Sequence, residues 1–392
     1  DVPLRSHGGQ GSIRSDACHA AFKGLAQVDP MRGIYFGVRA LSFSLAAADR
    51  FRIARDLMST GAALIALRGM IGRWAMEMVE RARKIADELG DPYLLGQSST
   101  VMAQVSMLDG RWREMLERCD AGAEILRRRC RGVAWELDVG RMAALRALEE
   151  LGEIDELEQR VASMLREAES ANDVYGTVSA LSHQGLARLS RDDIEGARSI
   201  GQRIVRSWTV RGVHMQHFYA LRLECYRDLC EGRPQDAWAR IRQAWPELVR
   251  ANLFRHALLR MDGHLLRART AVALAAVNED ERLLRSAMDD ADRLVSESRT
   301  DSSGHAAIIR AACLAQHRKN AEAANLLEQG AEKFGEAQMA LCEAYSRLRS
   351  AQLAGDEDRI ARTAAVLRAK GVANPGRLAA MYAPGFPGLS SP

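Results

Sequence analysis

The sequence predicts an all-α fold: a right-handed α-solenoid of about nine helical hairpins with a period near 40 residues. Three observations predict it. Good helix formers dominate, and alternating Val, Ile, Thr and aromatic runs that would mark strands are missing. Only Pro92, Pro234 and Pro246 interrupt the long stretch between Pro30 and Pro375, so little opposes continuous helices. Short polar or glycine turns recur at Asp29-Pro30, Gly69, Gly110, Gly152, Asp192-Asp193, Gly232, Asn278, Lys319-Asn320 and Gly355. Counted from Pro30, Asp192 and Lys319, their spacings are 39, 41, 42, 40, 40, 46, 41 and 36. One hairpin cannot cover its own apolar face, so neighbours must stack and bury it.

The leader comes first: residues 1–11, with three glycines, read as flexible. The repeat array is expected over 12–370. Its punctuation has a local cause, clearest in "ADELGDPYLLG", where Gly90 can take the left-handed conformation that closes a helix. Asp91 then caps the next helix, and Pro92 occupies its first position, where a missing N–H costs little. "LGEIDELEQ", "SRDDIEGA" and "CEGRPQDAW" vary this plan. Within "VHMQHFYALRLECYRDLC" (213–230), Phe218, Leu221, Cys225 and Leu229 form one apolar flank. Met215, Tyr219, Leu223 and Tyr226 form a second, as expected for a helix held between neighbours. From Gly371 onward, "GVANPGRLAAMYAPGFPGLSSP" breaks the period; residues 371–392 are expected to form a Gly/Pro-rich cap over the last hairpin. A chain opening at Asp1 reads as a fragment of something longer.

The net charge of +4 is spread over 55 basic and 51 acidic residues, which does not favour nucleic acid. The dense run Arg127, Arg128, Arg129 and Arg131 falls where a helix ends and cations suit its dipole. No apolar stretch approaches the about 20 residues of a membrane span; "TGAALIAL" and "TAVALAAV" read as buried helix. Seven cysteines without paired spacing argue for a reducing compartment and a cytoplasmic location.

The hairpins resemble tetratricopeptide-like repeats. "YLLGQSSTVMAQVSMLDGRWREMLERCDAGAEILRRRCRGVAWELD", "HMQHFYALRLECYRDLCEGRPQDAWARIRQAWPEL", "NPGRLAAMYAPGF" and "AQVDPMRGIYFGVRALSFSLAAADRFRIARDL" allow a narrower comparison. They are similar to the C-terminal repeat region of large bacterial serine/threonine protein kinases that carry a signalling P-loop ATPase module of the STAND type. The likeness spans nearly all of residues 12–386, and "RCRGVAWEL" (129–137) is its most distinctive stretch. It implies sensing, autoregulation or scaffolding of kinase and ATPase domains lying upstream. The family's catalytic residues do not carry over: no GxxxxGK[ST] loop, HRD, DFG or APE is found, and "GGQGS" (8–12) lacks the lysine. The chain is therefore expected to be non-catalytic and to need no cofactor.

Other candidates for chemistry have simpler readings. His214 and His217 share a helix face, but without further ligands a metal is not expected. Cys225 and Cys230 read as small core residues, and Cys119 and Cys130 have no convincing redox partner. The acidic stretch Glu149, Glu150, Glu153, Asp155, Glu156 and Glu158 is expected to stabilise the start of the helix after Gly152. Trp74 and Trp112, 38 apart, read as equivalent packing residues between hairpins.

The resemblance to tetratricopeptide-like arrays implies that the first helix of each hairpin lines a concave groove: about 92–108, 133–151, 172–189, 213–230 and 252–277. Residues there that do not fit an apolar stripe are the expected partner contacts: Gln97, Gln104, Trp135, Arg141, Tyr175, His183, His217, Arg222, Arg260 and His264. Aromatic and Arg anchors of this kind suit protein or peptide segments, including the upstream domains themselves. A small effector enclosed by the repeats is the alternative, and an enzyme of unrecognised type is the third reading.

Overall fold

A computed structural model describes residues 10–26, 28–209 and 211–388. The expected flexible leader lies outside the described residues except for Gln10 and Gly11, which open the first helix. Among the described residues the chain is all-α, without strands, and its nineteen α-helices follow one another in hairpins. They fall into two units, 1–147 with 255–257, and 148–254 with 258–392.

The first unit contains α1 (Gln10–Leu25), α2 (Pro30–Ala46), α3 (Arg50–Ile65), α4 (Gly69–Leu89), α5 (Pro92–Leu108), α6 (Trp112–Arg129) and most of α7 (Ala134–Leu151). Helices α1 and α2, α3 and α4, and α5 and α6 pack as hairpins, and α1, α3 and α5 touch one another in series. The α4–α5 junction forms as its residues dictate. Gly90 closes α4 at φ 61°, and the Asp91 carboxylate accepts from the backbone N–H groups of Tyr93 and Leu94. Hairpin partners approach closely where side chains are small: a Cβ on Gly96 would lie 2.6 Å from Leu126, and one on Gly61 2.7 Å from Val79. One apolar core gathers Ala54, Met58, Val79, Ala82, Ala86, Leu94 and Val101. Each large side chain buried in this way contributes about 1.5–3 kcal/mol.

The second unit takes the last turn of α7 and then α8 (Ile154–Ser170), α9 (Val174–Ser190), α10 (Ile194–Ser207), α11 (Met215–Cys230) and α12 (Pro234–Arg250). A 3-10 turn (Leu253–Arg255) precedes α13 (Ala257–Asn278). After it come α14 (Glu281–Ser296), α15 (Thr300–Gln316), α16 (Asn320–Glu336), α17 (Ala340–Ala354), α18 (Glu357–Ala369) and the short α19 (Pro375–Tyr382). Odd-numbered helices are covered on more than one flank. Twelve of the seventeen residues of α9 are buried, against four of fourteen in α10, so α9 is an inner helix and α10 an outer one. Where the turns recur, the left-handed position is filled by Gly152, Gly232 and Gly355 or by Asn172, Asp192, Arg318 and Gln338.

Two expectations require correction. Trp112 is the first residue of α6 and is fully buried, whereas Trp74 lies five residues inside the longer α4 and is 56% exposed, so the two are not equivalent. The acidic stretch also divides at Gly152. Asp155 and Glu156 do stand in the first turn of α8, but Glu149 and Glu150 end α7, and Glu149 turns towards other helices.

Candidate functional site

In the first unit the odd helices carry a polar seam. Asp56 of α3 is wholly buried and accepts from the Ser15 hydroxyl at 2.7 Å and from Arg55 at 2.9 Å, with His19 Nδ1 3.3 Å away. Burial pushes the Asp56 carboxyl up, but its bonds to His19, Arg55 and Ser15 outweigh that and hold it below its ordinary value. Burial drives the His19 imidazole the other way, down from its usual range. Further along, Glu136 of α7 accepts from the Tyr93 hydroxyl and the Lys23 ammonium, both at 2.8 Å. The same ammonium lies 5.3 Å from the centre of the Trp135 ring. Three buried atoms of this seam have no hydrogen-bond partner among the described residues: His19 Nε2, Gln97 Oε1 and Glu136 Oε2.

The expected contacts of this unit divide. Gln97 is buried and donates to Ser59 at 2.9 Å, and Trp135 joins the seam through Lys23. Gln104 is half-buried, and Arg141 pairs with Asp138 one turn earlier on its own helix at 3.5 Å. Lys23, Tyr93 and Glu136 were not foreseen, although Tyr93 and Glu136 lie on helices the sequence marked as lining.

In the second unit, charges converge from four odd helices. The carboxylate of Glu149 (α7) meets His183 (α9) at 2.7 Å and Arg222 (α11) at 3.1 Å, and Arg222 lies 3.8 Å from Asp262 (α13). Further along the same helices, Arg269 of α13 donates to the Tyr226 hydroxyl of α11 at 2.9 Å. His183 and Arg222, two of the expected residues, are therefore brought together.

The other four lie apart from this cluster. Tyr175 packs beside Trp208, ring centres 6.4 Å apart. His217 accepts from the His214 backbone N–H at 3.1 Å, so the H-x-x-H pair forms the cap of α11. Burial and the neighbouring His214 lower the His217 imidazole below its usual range. Arg260 binds Glu297 in two bonds of 2.6 and 2.9 Å, and His264 and Arg267 both bind Asp290 of α14. Those bonds hold α13 against its hairpin partner. Among the described residues no group of three or more His, Cys, Asp or Glu side chains could hold a metal ion, and no helix is long and apolar enough to cross a membrane.

The C-terminal tail completes this unit. Its helix α19 packs on α11, α17 and α18. Side chains of inner helices hold its backbone: Arg349 of α17 donates to the Ala383 carbonyl and Gln316 of α15 to the Gly385 carbonyl, each at 2.9 Å. Arg191 donates to the Gly371 carbonyl at 2.9 Å, and the Ala373 N–H donates to the Ser190 carbonyl at 2.9 Å. Continuing the alternation of lining helices to α15 and α17 would have found Gln316 and Arg349.

The chain matches no protein-family model and no curated protein.

Proposed function

We propose that this chain is a non-catalytic interaction and sensor module, the regulatory C-terminal region of a multidomain bacterial serine/threonine protein kinase, acting in the cytoplasm on protein segments. The observation that carries the interaction reading is the seam of the first unit. Lys23, Tyr93, Trp135 and Glu136 place two aromatic rings beside a part-buried charge pair, and Gln97 Oε1 and Glu136 Oε2 are buried without partners among the described residues. Aromatic and charged anchors around partly satisfied polar atoms suit a polypeptide better than they suit the solvent. The parentage rests on the resemblance of residues 12–386 alone.

Calorimetry of the full chain against the kinase and ATPase segment of its parent protein tests this reading. Binding at about tens of micromolar or tighter is expected, weakened about tenfold by Trp135→Ala. No heat with that segment would count against it.

One cluster favours the alternative of a small effector. Glu149, His183, Arg222 and Asp262 converge from four helices, as polar groups do around a ligand. A thermal-shift survey of small metabolites separates the readings: an effector raises the unfolding temperature, and Arg222→Ala abolishes the rise.

A further inference from the structure

Residues 371–386 are gripped by their backbone carbonyls. Arg191, Arg349 and Gln316 each donate to one of them, at 2.9 Å in every case. Gln316 also donates to the Val272 carbonyl at 3.0 Å, which ties the same amide to α13. Main-chain bonds of this kind bind an irregular segment whatever its side chains, and pockets for a few side chains then give specificity.

Two such side chains are present, with a glycine in close approach between them. Tyr382 lies flat against Tyr345, with ring centres 4.8 Å apart and an interplanar angle of 9°, and Arg269 sits 5.8 Å from the Tyr382 ring. Phe386 is buried with the Arg349 guanidinium 5.5 Å from its centre. Gly385, at φ +86°, passes so close to α13 that a Cβ would lie 2.9 Å from both Cβ and the carbonyl oxygen of Val272. Nearer the start of the segment, Arg377 pairs with Asp192 at 2.7 Å.

We infer that the inner face of the second unit, over α11, α13, α15 and α17, is a peptide-binding surface occupied in cis by residues 371–388, and that its partner is a protein segment repeating the tail's chemistry. That chemistry is a short helical turn ending in an aromatic residue, then Ala-Pro-Gly-Phe. Such a partner binds by displacing the tail, so the tail sets the threshold for binding. This rests on reading the odd-helix faces as polypeptide-binding surfaces.

The probe is a fluorescent peptide with the sequence of residues 371–388, followed by anisotropy on the full chain. Gly385→Ala in the chain loosens the tail and leaves every helix residue of the face intact. The peptide is expected to bind this variant about tenfold more tightly than the unchanged chain, the gain if the tail keeps the face closed about nine-tenths of the time. The gain should vanish when the peptide itself carries Gly385→Ala, or when Arg349→Ala is added to the chain. A variant that stays helical and melts cooperatively yet binds no more tightly would overturn the inference.

If Gly385→Ala does not fold, hydrogen exchange on the unchanged chain decides. Displaceable tail amides, including those of Ala373 and Ala383, exchange by local opening, well before those of α11 and α13. Exchange of the tail only with global unfolding would make it a fixed part of the core and end the proposal. A peptide that binds while the parent kinase segment does not would leave this inference standing and remove only the proposed parentage.

Discussion

Tyr382 of the tail and Tyr345 of α17 stack face to face, 4.8 Å between ring centres. The two phenols differ in what else they touch. Tyr382 also lies beside Arg269, whereas the Tyr345 hydroxyl is buried with no hydrogen-bond partner among the described residues. Removing the Tyr345 hydroxyl therefore removes a desolvation cost and loses no bond. Tyr345→Phe is expected to leave stability unchanged or raise it by up to about 1 kcal/mol, and Tyr345→Ala to lower it by about 3–5 kcal/mol. Urea unfolding of the two variants checks the contrast.

Asp56 makes stability depend on pH in a defined direction. Its folded carboxyl sits below the ordinary 3.8, so its contribution is complete above that value and is lost as pH falls through the lower folded value. His19 acts earlier: its folded imidazole lies below the ordinary 6.5, so protonation of the unfolded chain erodes stability as pH falls below 6.5. Thermal unfolding between pH 7 and pH 3 should show both losses. His19→Gln should reduce the upper one, which the lowered His217 shares, and Asp56→Asn should reduce the lower, which Asp16, Asp290, Asp301 and Glu328 share, while costing about 3 kcal/mol at neutral pH, because Arg55 loses its buried partner.

Glycine turns of one kind should respond unequally to alanine. Gly355 has a φ of +68° and open space around its missing Cβ, so Gly355→Ala carries only the backbone cost of about 1 kcal/mol. Gly152 has a φ of +76°, and a Cβ there would meet Leu341 at 2.6 Å, adding an overpacking cost of about 1–3 kcal/mol. Chemical denaturation should therefore rank Gly152→Ala well below Gly355→Ala.

Cysteine reactivity should divide by burial. Burial pushes the thiols of Cys230 and Cys313 up to about 12 and those of Cys225 and Cys342 up as well. Cys18 and Cys130 are half-buried. A disulfide reagent at pH 8 should label these two first, and the five buried cysteines only on unfolding. Rapid labelling of Cys225 or Cys342 in the native chain would contradict the packing of α11 and α17.

The hairpin pattern was legible because turn chemistry is local. Asp91-Pro92 marks the start of α5 to the residue, and Gly152 and Gly232 mark the ends of α7 and α11 within one or two. What lies across from a side chain is not local. His183 and Arg222 were marked as lining residues, yet their common partner Glu149 read as a cap, because a carboxylate near a turn looks the same whether it faces solvent or another helix. Arg260 and His264 had the same composition signature and instead bind Glu297, which caps α14, and Asp290 within it, since apolar stripes do not say which neighbour a helix's polar residues meet. Trp74 shows the limit of counting from turns: it lies five residues past the start of α4, whereas Trp112 opens α6, so the similar spacing put the two tryptophans at different heights on their helices.

The most direct test of the proposed working surface is hydrogen exchange of the full chain with and without the parent kinase and ATPase segment. Binding through the inner helices predicts new protection on α1, α3, α5 and α7, with α2, α4 and α6 little changed. Protection confined to those even-numbered helices, or none at a concentration that saturates binding, would contradict it.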